Sequence, residues 1–522
     1  MAQLSSAASQ APPPAVPPHG CKGLDDVDIV PDEGVSVVTR QLLEGCIRRT
    51  VTEAAQVTQL IRQGADPRAV GGLRVRGTTD DPYWRYRCLS FAIDSPTDSL
   101  SFSAQSGAYG SVPVVLPQWS SRQLQHDILN ALIDGGADVN AGGGGGSSTP
   151  IMVAIRAGNL TAVEVLLARQ VDVRGFAVMR LPYVGGAAPS ATREYEDATI
   201  SVFRRLLQHD STLAAERGGP GGDSLVNLAA MAPSSFFSQS FIDQYLTLIT
   251  SHRADMTAAD NRAIPPLQLA ALRNSPCVAH WLCRHLTADN VNRGMTNQPN
   301  HTPLAVAADW LNRHIQQQQQ QGEEHSRWIR QYKTIIGVLL RGGAAPSIAR
   351  LPTATDQRRH RHLVLAEYAT VLNELSEVVM SAINGALAPQ RDHSLLLARL
   401  LPLAPHHDGA HPHPSPSNMA FGPHEAEAIG WKIGAFLHEP PAAVAAINQY
   451  LIGESLLRRR VGAAVGHFVK SAAHPDEQQQ GGGGRDAIPA AGRQARQGDR
   501  PAAAVLRREG QPWCGAPPGG CA

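Results

Sequence analysis

The sequence predicts an all-α fold: a solenoid of helix-turn-helix repeats with hairpin loops, about seven irregular units long, followed by C-terminal helices and bracketed by disordered ends. Three observations predict it. One apolar residue, two spacers and an apolar pair recur seven times along the chain. Three of those segments end on glycine at the same place, and a second motif with alanine at its sixth place precedes five of them.

Taken from the N-terminus, residues 1–34 are rich in proline and alanine and offer too little apolar area to offset chain entropy, so they are expected to be disordered. The apolar trios begin after that. They are Val57/Leu60/Ile61, Leu129/Leu132/Ile133, Val163/Leu166/Leu167, Phe203/Leu206/Leu207, Tyr245/Leu248/Ile249, Val278/Trp281/Leu282 and Ile336/Leu339/Leu340. Offsets of three and four put each trio on one helical face. The endings QLIRQGAD, ALIDGGAD and VLLRGGAA place Gly64, Gly136 and Gly343 where a helix closes in the left-handed region.

The preceding motif reads RCLSFAI, TPIMVAI, SLVNLAA, PPLQLAA and TPLAVAA, with Ala92, Ala154, Ala229, Ala270 and Ala307 allowing close approach of paired helices. Thr149, Ser224 and Thr302 are positioned to cap helix starts, with Pro150 and Pro303 at the first helical position, where the missing N–H is harmless. Together these two motifs resemble the ankyrin repeat, most closely in STPIMVAIRAGNLTAVEVLLARQVDV at 148–173 with its Gly158-Asn159-Leu160 turn, and the resemblance extends over about residues 38–347. It implies an ankyrin-like array over 36–350 that works as an adaptor or scaffold. Two departures stand out. The histidine that links neighbouring hairpins in the family is replaced by Ser90, Met152, Asn227, Gln268 and Ala305. The motif alanines are about 62, 75, 41 and 37 residues apart against a usual period of about 33, so insertions are expected, together with a degenerate first helix near 176–190.

Beyond the array, residues 351–390 are expected to cap it, with a long amphipathic helix over 361–388 presenting Leu365, Tyr368, Leu372 and Leu375 to the last repeat. Residues 391–423 read as a His/Pro-rich linker, 424–472 as a small helical segment, and 473–522 as a disordered low-complexity tail; the tracts at 142–146, 316–321 and 478–484 are expected in loops.

Composition narrows the function. Lys+Arg 46 balances Asp+Glu 45, so no global field draws the chain to nucleic acid or an anionic membrane. No run reaches the length of a membrane span and the start lacks a signal peptide, so an intracellular protein, cytoplasmic or nuclear and monomeric, is expected. Seven scattered cysteines without paired spacing fit reduced thiols. None of the common nucleotide, hydrolase, kinase or zinc-protease motifs is present; His424-Glu425 and His438-Glu439 lack the second histidine, with alanine at 428 and 442. His406, His407, His411 and His413 lie in linker-like sequence without a carboxylate or thiol framework, and the basic clusters at 358–362 and 458–460 lack interleaved aromatics. No enzyme, cofactor or metal site is therefore expected. The candidate binding residues are Tyr83, Trp84, Arg85 and Tyr86, in TTDDPYWRYRC at a hairpin tip, because these residue types dominate interface energetics. A second reading folds Trp84 and Tyr86 back onto the insertion at 94–121, which carries Phe102, Tyr109 and Trp119. The expected function is a non-enzymatic scaffold that binds a protein partner through a concave face and hairpin tips; the alternative is a substrate-recognition adaptor of a larger enzyme complex, with the C-terminal helices recruiting the machinery.

Overall fold

A computed structural model describes residues 21–98, 102–108, 110–142, 149–175, 178–182, 190–219, 221–232, 236–296, 298–318, 322–351, 358–403 and 423–473. The fold is mainly helical but not all-α. After β1 (Val27–Pro31) come α1 (Val37–Arg48), α2 (Ala54–Arg62), β2 (Val70–Val75), β3 (Arg85–Arg87), α3 (Cys88–Phe91), β4 (Phe102–Gln105) and β5 (Ser111–Val114). The five strands form one sheet. Central β2 pairs with β1 along one edge, and along the other with β3 and then β4, which continues to β5. This corrects two expectations, the all-α class and a disordered 1–34, of which 21–34 is ordered. The strands are short, β2 carries Gly71 and Gly72, and β1 finds its partner far along the chain, so local composition could not reveal it.

The helices then run α4 (Arg122–Asp134), α5 (Pro150–Arg156), α6 (Leu160–Ala168) and α7 (Arg193–His209). A two-stranded ribbon follows, β6 (Arg217–Gly218) and β7 (Asp223–Ser224), then α8 (Leu225–Met231), α9 (Gln239–Ser251), α10 (Pro266–Leu272), α11 (Pro276–His285), α12 (Ala288–Val291), α13 (Pro303–Gln318) and α14 (Gly322–Arg341). They pack in two rows. One is continuous, each helix against the next: α2, α4, α6, α7, α9, α11, α14. These seven carry the seven apolar trios, and the first member of each trio is buried. The other row is α1, α3, α5 and then α8, α10, α13. Its break falls at 176–190. The described part of that segment, 178–182, is a turn that buries Val178, Met179 and Leu181, with the Tyr245 hydroxyl donating to the Met179 carbonyl at 2.7 Å. The five motif alanines are fully buried on the second row.

Five of the seven helices in the first row end in one geometry. At α2, α4 and α14 the glycines Gly64, Gly136 and Gly343 have φ of 96, 103 and 100°. The next amide reaches back five residues: Ala65 N to Leu60 O, Ala137 N to Leu132 O, Ala344 N to Leu339 O. This is the Schellman closure, which satisfies otherwise orphan carbonyls. The same closure recurs after α6 and α9 with Gln170 (φ 57°) and Arg253 (φ 74°) at the left-handed position. Two residues later in four of the five cases an aspartate, Asp66, Asp138, Asp172 or Asp255, accepts the amide two positions on and starts the hairpin. Ser224 and Thr302 cap helix starts as expected, through the Asn227 and Ala305 amides. Thr149 makes no such bond, a correction: Pro150 and the backbone begin α5 there.

Side-chain bonds to backbone join successive hairpins. Arg68 Nε donates to Gly136 O at 2.9 Å, Asn140 Oδ1 accepts from Asp172 N at 2.8 Å, and Gln268 donates to His301 O. Asn292 Nδ2 donates to Gly343 O at 2.9 Å.

α15 (Arg358–Leu400) is far longer than 361–388 and carries helix into the expected linker; 404–422 lie outside the described residues. Its first half packs on α13 and α14, with Glu367 paired to Lys333 at 3.0 Å. The expected buried stripe is corrected: Leu375 is buried, but Leu365 and Leu372 are exposed, because the packed face runs through Val364, Val371, Leu375, Ala382 and Ala386. α16 (Pro423–Gly434), α17 (Pro440–Tyr450) and α18 (Leu456–Ala473) complete the described chain, all touching α15. The 316–321 tract is helical through Gln318; the glycines from 143 to 146, the tail from 474, and His406, His407, His411 and His413 lie outside the described residues.

Candidate protein-binding surface

The tip that carries the candidate residues is held by two glycines. A Cβ on Gly71 would sit 2.8 Å from Leu43 Cδ2, and one on Gly72 would sit 2.3 Å from Pro82 Cβ. Bare backbone at these positions lets the loop before β3 fold down onto β2 through Pro82, which fixes the direction of the residues that follow. The Tyr83 amide donates to Gln105 Oε1 of β4 at 3.2 Å, and its ring meets Trp84 edge-on at 5.1 Å. Tyr83 is 61% exposed, Trp84 half-buried, and Arg85 pairs with Asp32. Strand alternation then turns Tyr86 inward.

Tyr86 is therefore not a surface residue, a correction to the predicted cluster. It is buried against Phe91 and Phe102, ring centres 5.4 and 5.0 Å away, and burial pushes its phenol pKa up. The fold-back reading describes Tyr86, while Trp84 packs half-buried at the edge of the same core. Trp119 of the same insertion goes elsewhere: its indole N–H donates to Ala92 O at 2.8 Å and the Arg49 guanidinium lies 4.7 Å over its ring. Burial lowers the Arg49 pKa to about 10, against the opposing pull of Asp94. Tyr109 lies outside the described residues.

What anchors the insertion was not anticipated. The fully buried Asp94 carboxylate accepts from Arg122 Nη1 at 2.5 Å, the Trp119 amide at 2.8 Å, Gln125 Nε2 at 2.9 Å and Asn159 Nδ2 at 3.0 Å. One buried charge thus ties the insertion to α4 and to the capping residue of α6, with its lone pairs satisfied. Only Asn159 could be noticed in the sequence, as part of the repeat turn.

A second surface has a different character. Among the described residues, the exposed large apolar side chains other than Val37 and Tyr83 all lie beyond residue 364, on the C-terminal helices. They include Leu395, Leu396 and Leu400 on α15, Trp431 on α16, Phe436 just after it and Phe468 on α18. Exposed apolar area of this kind makes the surface a candidate for contact.

The chemistry within reach is modest. No cluster of three metal-ligating side chains occurs among the described residues. Burial raises the thiol pKa of Cys21, of Cys277 and of Cys283, the last to about 12, so these are protonated at neutral pH. The Cys88 thiol, 3.6 Å from that of Cys46, is raised by that contact and by burial. The described grooves are shallow and open; the 720 Å³ depression beside Arg204, Asp243 and Thr247 is one of them. Compared with known proteins, the chain matches no family model and no curated relative.

Proposed function

We propose that this chain is a non-enzymatic, ankyrin-like scaffold that binds a protein partner through the concave face of its helix array and its hairpin tips. The observation that supports this most is the fivefold recurrence of the same left-handed helix closure, leading in four cases into an aspartate-initiated hairpin, along an unbroken row of helices. Arrays of this kind present long surfaces for recognition. Tyr83 and Trp84 are the anchor on the first tip. The test is quantitative affinity capture from cell lysate with the full chain against the double variant Tyr83→Ala/Trp84→Ala. Loss of a defined set of captured proteins, at unchanged melting temperature, is expected; an identical captured set would sink the assignment of this tip.

A second reading is favoured by the apolar C-terminal surface: a substrate-recognition adaptor of a larger enzyme complex, the array choosing the target and the C-terminal helices recruiting the machinery. Under this reading Trp431→Asp/Phe436→Asp removes a group of captured proteins that the Tyr83/Trp84 variant retains.

A further inference from the structure

α17 and α18 stop short on α15. Glu439, just before α17, donates its amide to Ala386 O at 3.0 Å, and Gln390 Nε2 meets the carbonyl of Ala473, the last residue of α18, at 3.5 Å. From Gln390 to Leu400 α16 packs along one face of α15, through Gln390, Ser394, Leu397 and Ala398. A Cβ on Gly430 would lie 2.9 Å from Ser394 O, and one on Gly434 1.8 Å from Ser394 Oγ, so the two helices are in backbone-to-backbone contact. The opposite face of α15 carries Asp392, Leu395, Leu396 and Arg399, and Leu403 follows in the 3-10 turn Leu401–Leu403. The three leucines are about half exposed, Leu403 the most at 54%.

We propose that this face is the contact between two copies of the chain, with the ends of their α15 helices antiparallel across a twofold axis between Leu395 and Leu396. The charge pattern selects this occupant. About that axis Leu395 of one copy meets Leu396 of the other, and Asp392 of each copy lies opposite Arg399 of its partner, giving two identical ion pairs around an apolar centre. Asp392 pairs within its own chain only with the exposed neighbour Arg391, at 2.9 Å, and Arg399 forms no ion pair among the described residues. A parallel pairing would set like charges together. An anionic membrane would press Asp392 against its own charge. The contact runs over about three helical turns, roughly 15 Å, to the end of α15 at Leu400, which is small for a stable dimer. Association is therefore weak, with Kd on the order of 10 µM, and departs from the monomer expected of the sequence.

The test is analytical ultracentrifugation of the full chain from about 1 to about 200 µM, a range that brackets such a Kd. A shift from the 55.6 kDa monomer toward twice that mass is expected. Leu395→Asp/Leu396→Asp leaves a monomer throughout. Asp392→Arg or Arg399→Asp alone weakens association about tenfold or more, and the double exchange Asp392→Arg/Arg399→Asp restores it. These side chains are exposed, so circular dichroism and melting of the variants should match the parent. A monomer at every concentration, or a dimer indifferent to the charge exchange, overturns the proposal.

Discussion

Leu166 and Phe436 are both large apolar side chains in helical turns, yet Leu166 has no solvent exposure and Phe436 is 79% exposed. The difference lies in what surrounds each. α6 has α4 on one side and α7 on the other, with α5 behind, so its apolar face is enclosed by neighbours in the row. The turn holding Phe436 belongs to a region where α16 has α15 and little else, and a pair of helices joined through glycines buries small residues rather than large ones. A helix enclosed on three sides buries its large side chains, whereas one packed mainly against a single neighbour leaves some of them exposed.

The comparison can be broken first at Asp94. Asp94→Ala leaves Arg122, Gln125 and Asn159 facing an empty site and should cost about 3–5 kcal/mol, read as a lowered denaturant midpoint. A loss below about 1 kcal/mol would mean that the insertion is not coupled to the array. Next is the direct contrast between the two regions. Leu166→Ala should cost about 2–5 kcal/mol, and Phe436→Ser should stay within about 0.5 kcal/mol. Equal losses would show that the C-terminal surface is covered within the chain. The smallest effects sharpen the helix closure. Gly136→Ala at φ 103° should lose about 1–2 kcal/mol, while Gln170→Gly at φ 57° should gain or lose less than about 1 kcal/mol, as thermal melts of the two can decide.

Much of the array was legible because it is written in local periodicity. The seven trios, the five alanines and the three glycines each report a helix face or a helix end that neighbouring residues alone specify. Gln170 and Arg253 adopt the same closure as those glycines but went unread, since nothing in their side chains announces a left-handed backbone. The candidate tip is marked by composition, but whether Tyr86 faces out or folds back stays open in the sequence, because which side of a strand faces the core depends on its pairing with β2. Asp94 could not be singled out at all: its partners are drawn from 25 to 65 residues away.

Sequence by itself determined the seven helices that carry the apolar trios, their order and the caps at Ser224 and Thr302, because those rest on offsets of three and four and on residues within one turn of a helix end. Tertiary structure decided the sheet, the inward turn of Tyr86, the Asp94 node and which face of α15 stays bare. Each of these depends on contacts between segments far apart in the chain, whose free energy comes from burial that no single segment contains.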